Sequence, residues 1–223
     1  MENWKLKETD REDIEDLIKK IEKSFNIKFD DGELKHIKTF GELCDYIINK
    51  IELENVKDCT SQQSFYKIRT AISEELNIEN KFITPDTLLG ELFPIGIRRS
   101  KIKGIENHLG IKLNVLNPPT WLIRLLVLFI LVSIIEIFFS VLIGSSGVLI
   151  SIIGIMIALK TGKEFKVSTA GQLSDIMVIE HYLQSRRNPK TINRKEIEIL
   201  LTDWFSKDLH LDKLELQRDS KLR

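Results

Sequence analysis

The chain has 223 residues, and its 33 lysines and arginines balance its 33 aspartates and glutamates. A balanced chain lacks the basic excess of nucleic-acid-binding proteins, so we predict no nucleic-acid partner. Cys44 and Cys59 fall outside the CxxC and other metal-ligand spacings, and we expect both as reduced thiols. The length allows one or two small domains.

The N-terminal segment, residues 10–54, predicts helices with one apolar face each. The first stripe has the spacing of an amphipathic helix and comprises Ile14, Leu17, Ile18, Ile21 and Phe25. After an acidic turn, Thr39 and Glu42 form a capping box, in which each side chain bonds the other residue's backbone N–H. The helix that follows carries Phe40, Leu43, Cys44, Ile47, Ile48 and Ile51 on one face. Two stripes this narrow need a further helix from elsewhere in the chain.

The next segment repeats the helical pattern. Residues 60–63 (Thr-Ser-Gln-Gln) predict a second capping box, and Phe65, Ile68, Ile72 and Leu76 form the stripe behind it. Pro85 ends any helix before it, and a long loop follows. A further helix is predicted from Arg98 to Leu109, and the chain then reaches Pro118-Pro119.

The most apolar part of the chain runs from Trp121 to Leu159 and contains Leu122, Arg124, Glu136, Gly144 and Gly147. A helix from Leu122 to Ile143 would cover the roughly 30 Å hydrocarbon core of a bilayer. Two interpretations remain open: one full span followed by a short re-entrant limb, or two short helices that dip in and out. Residues 144–147 (Gly-Ser-Ser-Gly) predict a turn or a close helix contact. A hairpin buried inside a soluble core is the alternative to a membrane segment.

Basic residues flank the apolar run on both sides. Those before it are Arg98, Arg99, Lys101, Lys103 and Lys112, Arg124 lies near its start, and those after it are Lys160, Lys163 and Lys166. Positive residues close to a membrane favour the cytoplasmic side, so we predict a membrane protein with both flanking parts in the cytoplasm. Candidates for binding anionic lipid headgroups are Arg98, Arg99, Lys101, Lys103, Lys160 and Lys163. Ordinary positive-inside charge without lipid specificity is the alternative.

The C-terminal part also has helical periodicity. Thr169 and Gln172 predict a third capping box, followed by a helix to about Arg186. A last helix begins near Thr191 or Asn193 and carries Ile197, Leu200, Leu201, Trp204, Phe205 and Leu209. Because no segment shows the period-two alternation of strands, we predict an all-α fold.

The soluble segments resemble acyl carrier proteins, which are four-helix domains. Residues 17–47, LIKKIEKSFNIKFDDGELKHIKTFGELCDYI, are similar to the carrier pattern from helix II to helix IV. Residues 64–113 look like helix I, the loop and helix II, and residues 165–181 look like helix IV. Residues 196–222, EIEILLTDWFSKDLHLDKLELQRDSKL, look like another helix I with part of its loop.

The resemblance implies two carrier-like bundles with the apolar hairpin, residues 121–159, inserted into one of them. That bundle combines residues 60–115 with 163–185. The other combines residues 10–54 with 191–223 in a circularly permuted order. A domain swap between two copies of the chain, and hence a homo-oligomer, is the alternative for the C-terminal helix.

The chemistry of carriers does not transfer with the pattern. A carrier bears phosphopantetheine on a serine at the start of helix II, and the matching positions here are Arg11 and Ile95 or Gly96. Ser100 is the nearest hydroxyl, about one helical turn late, and is the one candidate for modification. Helix II is normally acidic, whereas Arg98, Arg99, Lys101 and Lys103 make it basic here. We therefore predict no cofactor.

No catalytic or metal-ligating set emerges from the sequence, because His36, His108, His181 and His210 lie in different segments. Glu136 stands out, since an ionisable group at membrane depth is costly and often functional. We predict a non-enzymatic, membrane-anchored interaction or scaffold protein with an unknown protein partner. A membrane-tethered acyl carrier and an accessory or toxin-neutralising protein of the immunity type are the alternatives.

Overall fold

A computed structural model describes residues 11–214 and 216–221 of the chain. Helices make up 64% of it, which confirms the predominantly helical prediction, and short strands add to them. The α-helices of the described residues are α1 Arg11–Phe25, α2 Phe40–Lys50, α3 Thr60–Leu76, α4 Leu89–Leu92, α5 Arg98–Leu109, α6 Thr120–Ile137, α7 Val141–Thr161, α8 Ala170–Glu180, α9 Tyr182–Ser185 and α10 Arg194–Asp208. The strands are β1 Glu54–Asn55, β2 Leu116–Asn117, β3 Glu164–Phe165 and β4 Thr191–Ile192.

The chain forms two compact units. The first comprises residues 1–68 and 174–223, and the second comprises residues 69–173. The boundaries fall within α3 and within α8, so each of these helices supplies residues to both units.

The core of the first unit joins the two ends of the chain. Buried apolar side chains of α1, α2 and α10 form one cluster, in which Phe40 meets Phe205 at 5.2 Å and Phe25 meets Trp204 at 5.8 Å between ring centroids. The parallel pair of β1 and β4 also brings distant segments together. The C-terminal helix therefore supplies, within the same chain, the further helix that the N-terminal stripes require.

The second unit has a smaller apolar core and carries the long helices α6 and α7. Its buried side chains include Ile72, Ile83, Leu89, Phe93, Ile102, Ile105, Leu113 and Val115. The antiparallel pair of β2 and β3 joins the segment before α6 to the segment after α7. The apolar helices are thus inserted into the unit through two adjacent strands.

The two units repeat the same local hydrogen bonds. The Ser73 hydroxyl donates to the carbonyl of Ile78 after α3, and the Ser206 hydroxyl donates to the carbonyl of Leu211 after α10. Further on, the Thr84 N–H donates to the Thr87 hydroxyl at 2.8 Å, and the Gln217 N–H donates to the Ser220 hydroxyl at 3.0 Å. The same number of residues separates each position after α3 from its counterpart after α10 in both comparisons. The segment after α10 therefore follows the course of the segment after α3.

A second set of repeated bonds relates α1 to α5. The Glu22 carboxylate accepts the N–H of Phe29 at 2.7 Å, and the Glu106 carboxylate accepts the N–H of Leu113 at 2.8 Å. Each helix is followed by a residue with positive φ, Asn26 at 52° and Gly110 at 68°. The two units thus share these local arrangements, but in a different order along the chain. The segment after α3 precedes α5 in the second unit, whereas its counterpart after α10 follows α1 in the first unit.

Two of the three predicted capping boxes are confirmed. Thr39 with Glu42 and Thr169 with Gln172 show the reciprocal bonds. The box predicted at Thr60 is wrong. Thr60 is the first helical residue, and its hydroxyl contacts Tyr182, Arg186 and Glu196, partners far away in sequence that a local motif does not reveal.

Candidate functional site: the apolar hairpin and its neck

The helices α6 and α7 have the length and composition of membrane spans. Their mean hydropathies are 2.3 and 2.4 over 18-residue windows. At 1.5 Å per residue they extend about 27 Å and about 32 Å, close to the thickness of a hydrocarbon core. The turn between them lies at residues 138–140, so the turn predicted at residues 144–147 is wrong and the second limb is a full-length helix.

Gly144 and Gly147 provide the predicted close contact between α7 and α6. A Cβ atom on Gly144 would lie 2.5 Å from the backbone nitrogen of Ile137, and one on Gly147 would lie 2.3 Å from the Ser133 hydroxyl. The small residues facing α6 follow a heptad-like spacing and are Gly144, Gly147, Ser151, Gly154 and Ala158. In an apolar environment, small residues allow two helices to approach closely and pack through backbone contacts.

Beyond this seam, the surfaces of both helices are apolar and exposed. Only 6% of the α6 window and 17% of the α7 window is buried. Trp121, in the first turn of α6, is 64% exposed, and Phe138 at the tip is 87% exposed. Core helices of a soluble protein are mostly buried, whereas these two helices are mostly exposed within the described residues.

The two charged residues of α6 lie near its opposite ends. Arg124 is in the second turn, about 6 Å along the axis from Thr120. Glu136 is in the last turn, about 24 Å from Thr120, with the tip directly after it. Glu136 therefore lies next to the tip of the hairpin, and its position at membrane depth stays a prediction.

The base of the hairpin is a narrow neck, which we define as residues 116–118 and 162–165. Within it, Leu116 pairs with Phe165 and Asn117 with Glu164. Gly162 makes the neck possible, because a Cβ there would lie 2.3 Å from the carbonyl carbon of Asn117. The neck holds the two ends of the hairpin side by side.

Arg98 connects α5 to the neck. It is 9% exposed, its Nε donates to the Phe93 carbonyl at 2.9 Å and its Nη1 donates to the Lys163 carbonyl at 2.6 Å. Its guanidinium also lies 4.5 Å from the centre of the Phe165 ring. These contacts occupy the side chain, so Arg98 leaves the set of lipid-headgroup candidates.

The other basic candidates have different surroundings. Arg99 donates to the Gly162 carbonyl at 3.3 Å and remains exposed. Lys101 forms an ion pair of 3.0 Å with Glu75, which removes it from the neck. Lys163 is exposed within the neck, Lys160 is exposed just before it, and Lys103 is exposed further along α5. Arg99, Lys160 and Lys163 are the candidates that the structure brings together.

Ser100, the candidate for modification, is exposed in the first turn of α5. Its hydroxyl donates a hydrogen bond of 2.8 Å to the Ile97 carbonyl, one turn back along the chain. The hydroxyl therefore lies at the surface, and the partner in this hydrogen bond is a backbone carbonyl.

The first unit contains a polar cluster around a buried arginine that no sequence motif predicts. Arg186 is fully buried and donates to the hydroxyls of Thr191 at 3.1 Å and Thr60 at 2.6 Å. The Glu196 carboxylate lies 3.7 Å from the same guanidinium and accepts the Thr60 N–H at 2.9 Å. Burial raises the pKa of the Tyr182 hydroxyl, which also contacts Glu196. An arginine in a polar loop carries no sequence signal of such a role.

A cavity of about 490 Å³ opens beside this cluster within the first unit. The residues that line it are Lys20, Thr60, Ser61, Asp175, Val178, Ile179, Tyr182, Glu196, Ile199, Leu200, Asp203, Trp204 and Lys207. The Trp204 Nε1–H is buried and has no hydrogen-bond partner among the described residues. Burial raises the pKa of the Asp175 carboxyl. The cavity combines an apolar wall with a charged rim.

Comparison of the chain with family models, with curated proteins and with solved structures gives no match. The acyl-carrier resemblance therefore stays a prediction that rests on the motifs. Among the described residues, no group of three or more His, Cys, Asp or Glu is placed to hold a metal ion.

Proposed function

We propose that this protein is a non-enzymatic membrane anchor and scaffold, whose hairpin spans the bilayer and holds the carrier-like units at the cytoplasmic face to bind a protein partner. The observation that carries the proposal is the exposure of two full-length apolar helices, of which 6% and 17% is buried. Leaving so much apolar surface in water would be strongly unfavourable, whereas lipid covers it at no such cost.

The distribution of charge supports the orientation. Arg99, Lys160 and Lys163 are exposed at the base of the hairpin, whereas the tip at residues 138–140 carries no basic residue. Basic residues near the ends of spans stay on the cytoplasmic side. Two spans then return the chain to the side from which it started, so both flanking parts share one compartment.

Cysteine labelling tests the topology. Cys59 is exposed and serves as the reporter for the soluble part, and Ser140→Cys adds a reporter at the tip. In right-side-out vesicles, a membrane-impermeant maleimide should label the tip and leave Cys59 unlabelled until the membrane is opened. Labelling of both sites from the same side would contradict a spanning hairpin.

The scaffold part of the proposal needs a binding experiment. The full chain and a variant lacking residues 120–161 are each used to capture partners from the native cell extract, after deletion is shown to release the chain from the membrane fraction. A partner retained by both forms would bind the soluble units. If neither form retains a partner by comparison with a scrambled control, the scaffold function fails.

A membrane-tethered carrier is the second candidate, because Ser100 is exposed in the first turn of α5. Intact-mass analysis of the chain from its native cells, compared with Ser100→Ala, distinguishes the two. A phosphopantetheine adduct that disappears in Ser100→Ala would replace the scaffold proposal with a carrier. An unmodified chain leaves the scaffold in place.

A further inference from the structure

The turn between Phe93 and Arg98 places aliphatic side chains in water next to the base of the hairpin. Ile95 is 63% exposed and Ile97 is 44% exposed. The turn is tight, because the Pro94 carbonyl accepts the N–H groups of both Ile97 and Arg98, at 3.1 Å and 3.0 Å. Because both isoleucine side chains are exposed, they do not belong to the apolar core of the second unit.

The location of this turn is fixed by Arg98. One guanidinium bonds the carbonyl of Phe93, at the start of the turn, and the carbonyl of Lys163, directly after the hairpin. Arg99 adds a bond to the Gly162 carbonyl. A single arginine side chain therefore spans the distance between the turn and the residues that follow α7.

The charges around the turn are mostly positive. Arg99, Lys160, Lys163 and Lys166 are exposed there, and Glu164 is the acidic residue between the lysines. Trp121, in the first turn of α6, adds an exposed indole at the same end of the hairpin. Exposed aliphatic groups, an indole and basic side chains together match the boundary between headgroups and acyl chains of an anionic membrane.

We propose that residues 94–97 form a membrane-contacting loop that inserts Ile95 and Ile97 into the interface of an anionic bilayer, with Lys160, Lys163 and Arg99 on the headgroups. The occupant of this surface is lipid, since hydrogen bonds from Arg98 and Arg99 hold the turn beside the base of the apolar hairpin. The proposal rests on the proposed function, because it requires that the hairpin be in the membrane. It goes further by making the second unit lie against the bilayer.

An environment-sensitive probe on single cysteines tests the loop in the full chain. The background is Cys59→Ser, because Cys44 is buried and burial raises the pKa of its thiol to about 12. The probe is placed at Ile95→Cys for the loop and at Leu128→Cys for the middle of α6. Asn107→Cys is the matched control, exposed on α5 and about 15 Å along its axis from Ile97.

Each labelled protein is reconstituted in phosphatidylcholine vesicles with and without phosphatidylglycerol. The expected result is a blue-shifted emission and quenching by shallow spin-labelled lipid at position 95, with a water-like signal at position 107. Lys160→Glu with Lys163→Glu should shift the insertion equilibrium of the loop by at least about 25-fold in the anionic vesicles, since each basic residue contributes about fivefold. The carbonyl of Lys163 remains available to Arg98 in that variant.

The outcomes separate the two proposals. A water-like signal at position 95 with a lipid-embedded signal at position 128 overturns the loop insertion and leaves the membrane anchor intact. Water-like signals at both positions overturn the membrane anchor itself. Equal insertion with and without phosphatidylglycerol overturns the assignment of the lysines to anionic headgroups.

Discussion

The guanidinium of Arg98 donates a hydrogen bond of 2.6 Å to the main-chain oxygen of Lys163 and so links the first turn of α5 to the segment between α7 and β3. The same side chain donates to Phe93 and covers the ring of Phe165. A single residue thereby links the folded part of the second unit to the base of the hairpin.

Replacing Arg98 should therefore loosen the neck. Arg98→Ala leaves the carbonyls of Phe93 and Lys163 without this donor, and we expect a loss of about 2–4 kcal/mol in the free energy of unfolding. Arg98→Lys should recover little, because an ammonium cannot bridge both carbonyls as a planar guanidinium does. Denaturant unfolding in detergent measures both variants. Full recovery of stability in Arg98→Lys would show that the positive charge, and not the planar guanidinium, stabilises the neck.

The seam of the hairpin predicts a different sensitivity for two glycines. Gly144→Ala places a Cβ 2.5 Å from the Ile137 nitrogen, which forces α6 and α7 apart at a cost of about 1–3 kcal/mol. Gly90→Ala, in α4, meets no atom within 4 Å and should be neutral or slightly stabilising. The measurement is loss of helicity on titration with SDS. Equal behaviour of the two variants would contradict the close helix contact.

The closure of the first unit by α10 can be tested inside that helix. Leu201 is fully buried, and Leu201→Ala should cost about 2–5 kcal/mol. Ile199 is 63% exposed, so Ile199→Ala should change stability by no more than about 0.5 kcal/mol. Hydrogen exchange in α1 and α2 reports the effect. If Leu201→Ala leaves protection of those helices unchanged, α10 does not complete their core.

The pair of Arg186, which is fully buried, and Glu196, which is partly exposed, should be costly to break on one side only. Arg186→Met removes the donor to Thr60 and Thr191 and leaves the Glu196 carboxylate without its cation, at a cost of about 3–5 kcal/mol. Adding Glu196→Gln removes the uncompensated charge and should restore part of the loss. Thermal unfolding of the single and double variants decides this. Additive losses would show that the two side chains act independently.

The stability of the first unit should fall in acid partly through Glu33. Hydrogen bonds from the Lys50 ammonium and the Tyr46 hydroxyl lower the pKa of Glu33 from its usual 4.5 to about 2. A carboxyl whose folded pKa is lowered stabilises the fold fully above its unfolded pKa, and the benefit disappears as the pH falls towards the folded value. In Glu33→Gln, the unfolding temperature should therefore depend less on pH between about 4.5 and about 2. Asp31→Asn removes an exposed negative charge from the same turn and is the control for the loss of charge alone.

Much of the local structure could be predicted from the sequence. The stripes of α1, α2 and α10, the capping boxes at Thr39 and Thr169 and the bounds of α5 follow from helical spacing and hydrogen-bonding side chains. The apolar run also predicted a long apolar first helix, whereas its second limb was expected to be short and is a 21-residue helix. Spacing is a local property, and it reveals which face of a helix is apolar without revealing what covers that face.

The tertiary structure decided where the chain turns and which charges are buried. Gly144 and Gly147 have the composition of a turn, yet α7 runs through them because their missing side chains let α6 approach. Arg98 looks like surface charge in the sequence, yet its guanidinium is buried and donates to the carbonyls of the nearby Phe93 and the distant Lys163. The sequence by itself determined the helices and the apolar hairpin. Packing between distant segments alone determined the neck and the closure of the first unit, because their partners are specified by contacts that no local pattern encodes.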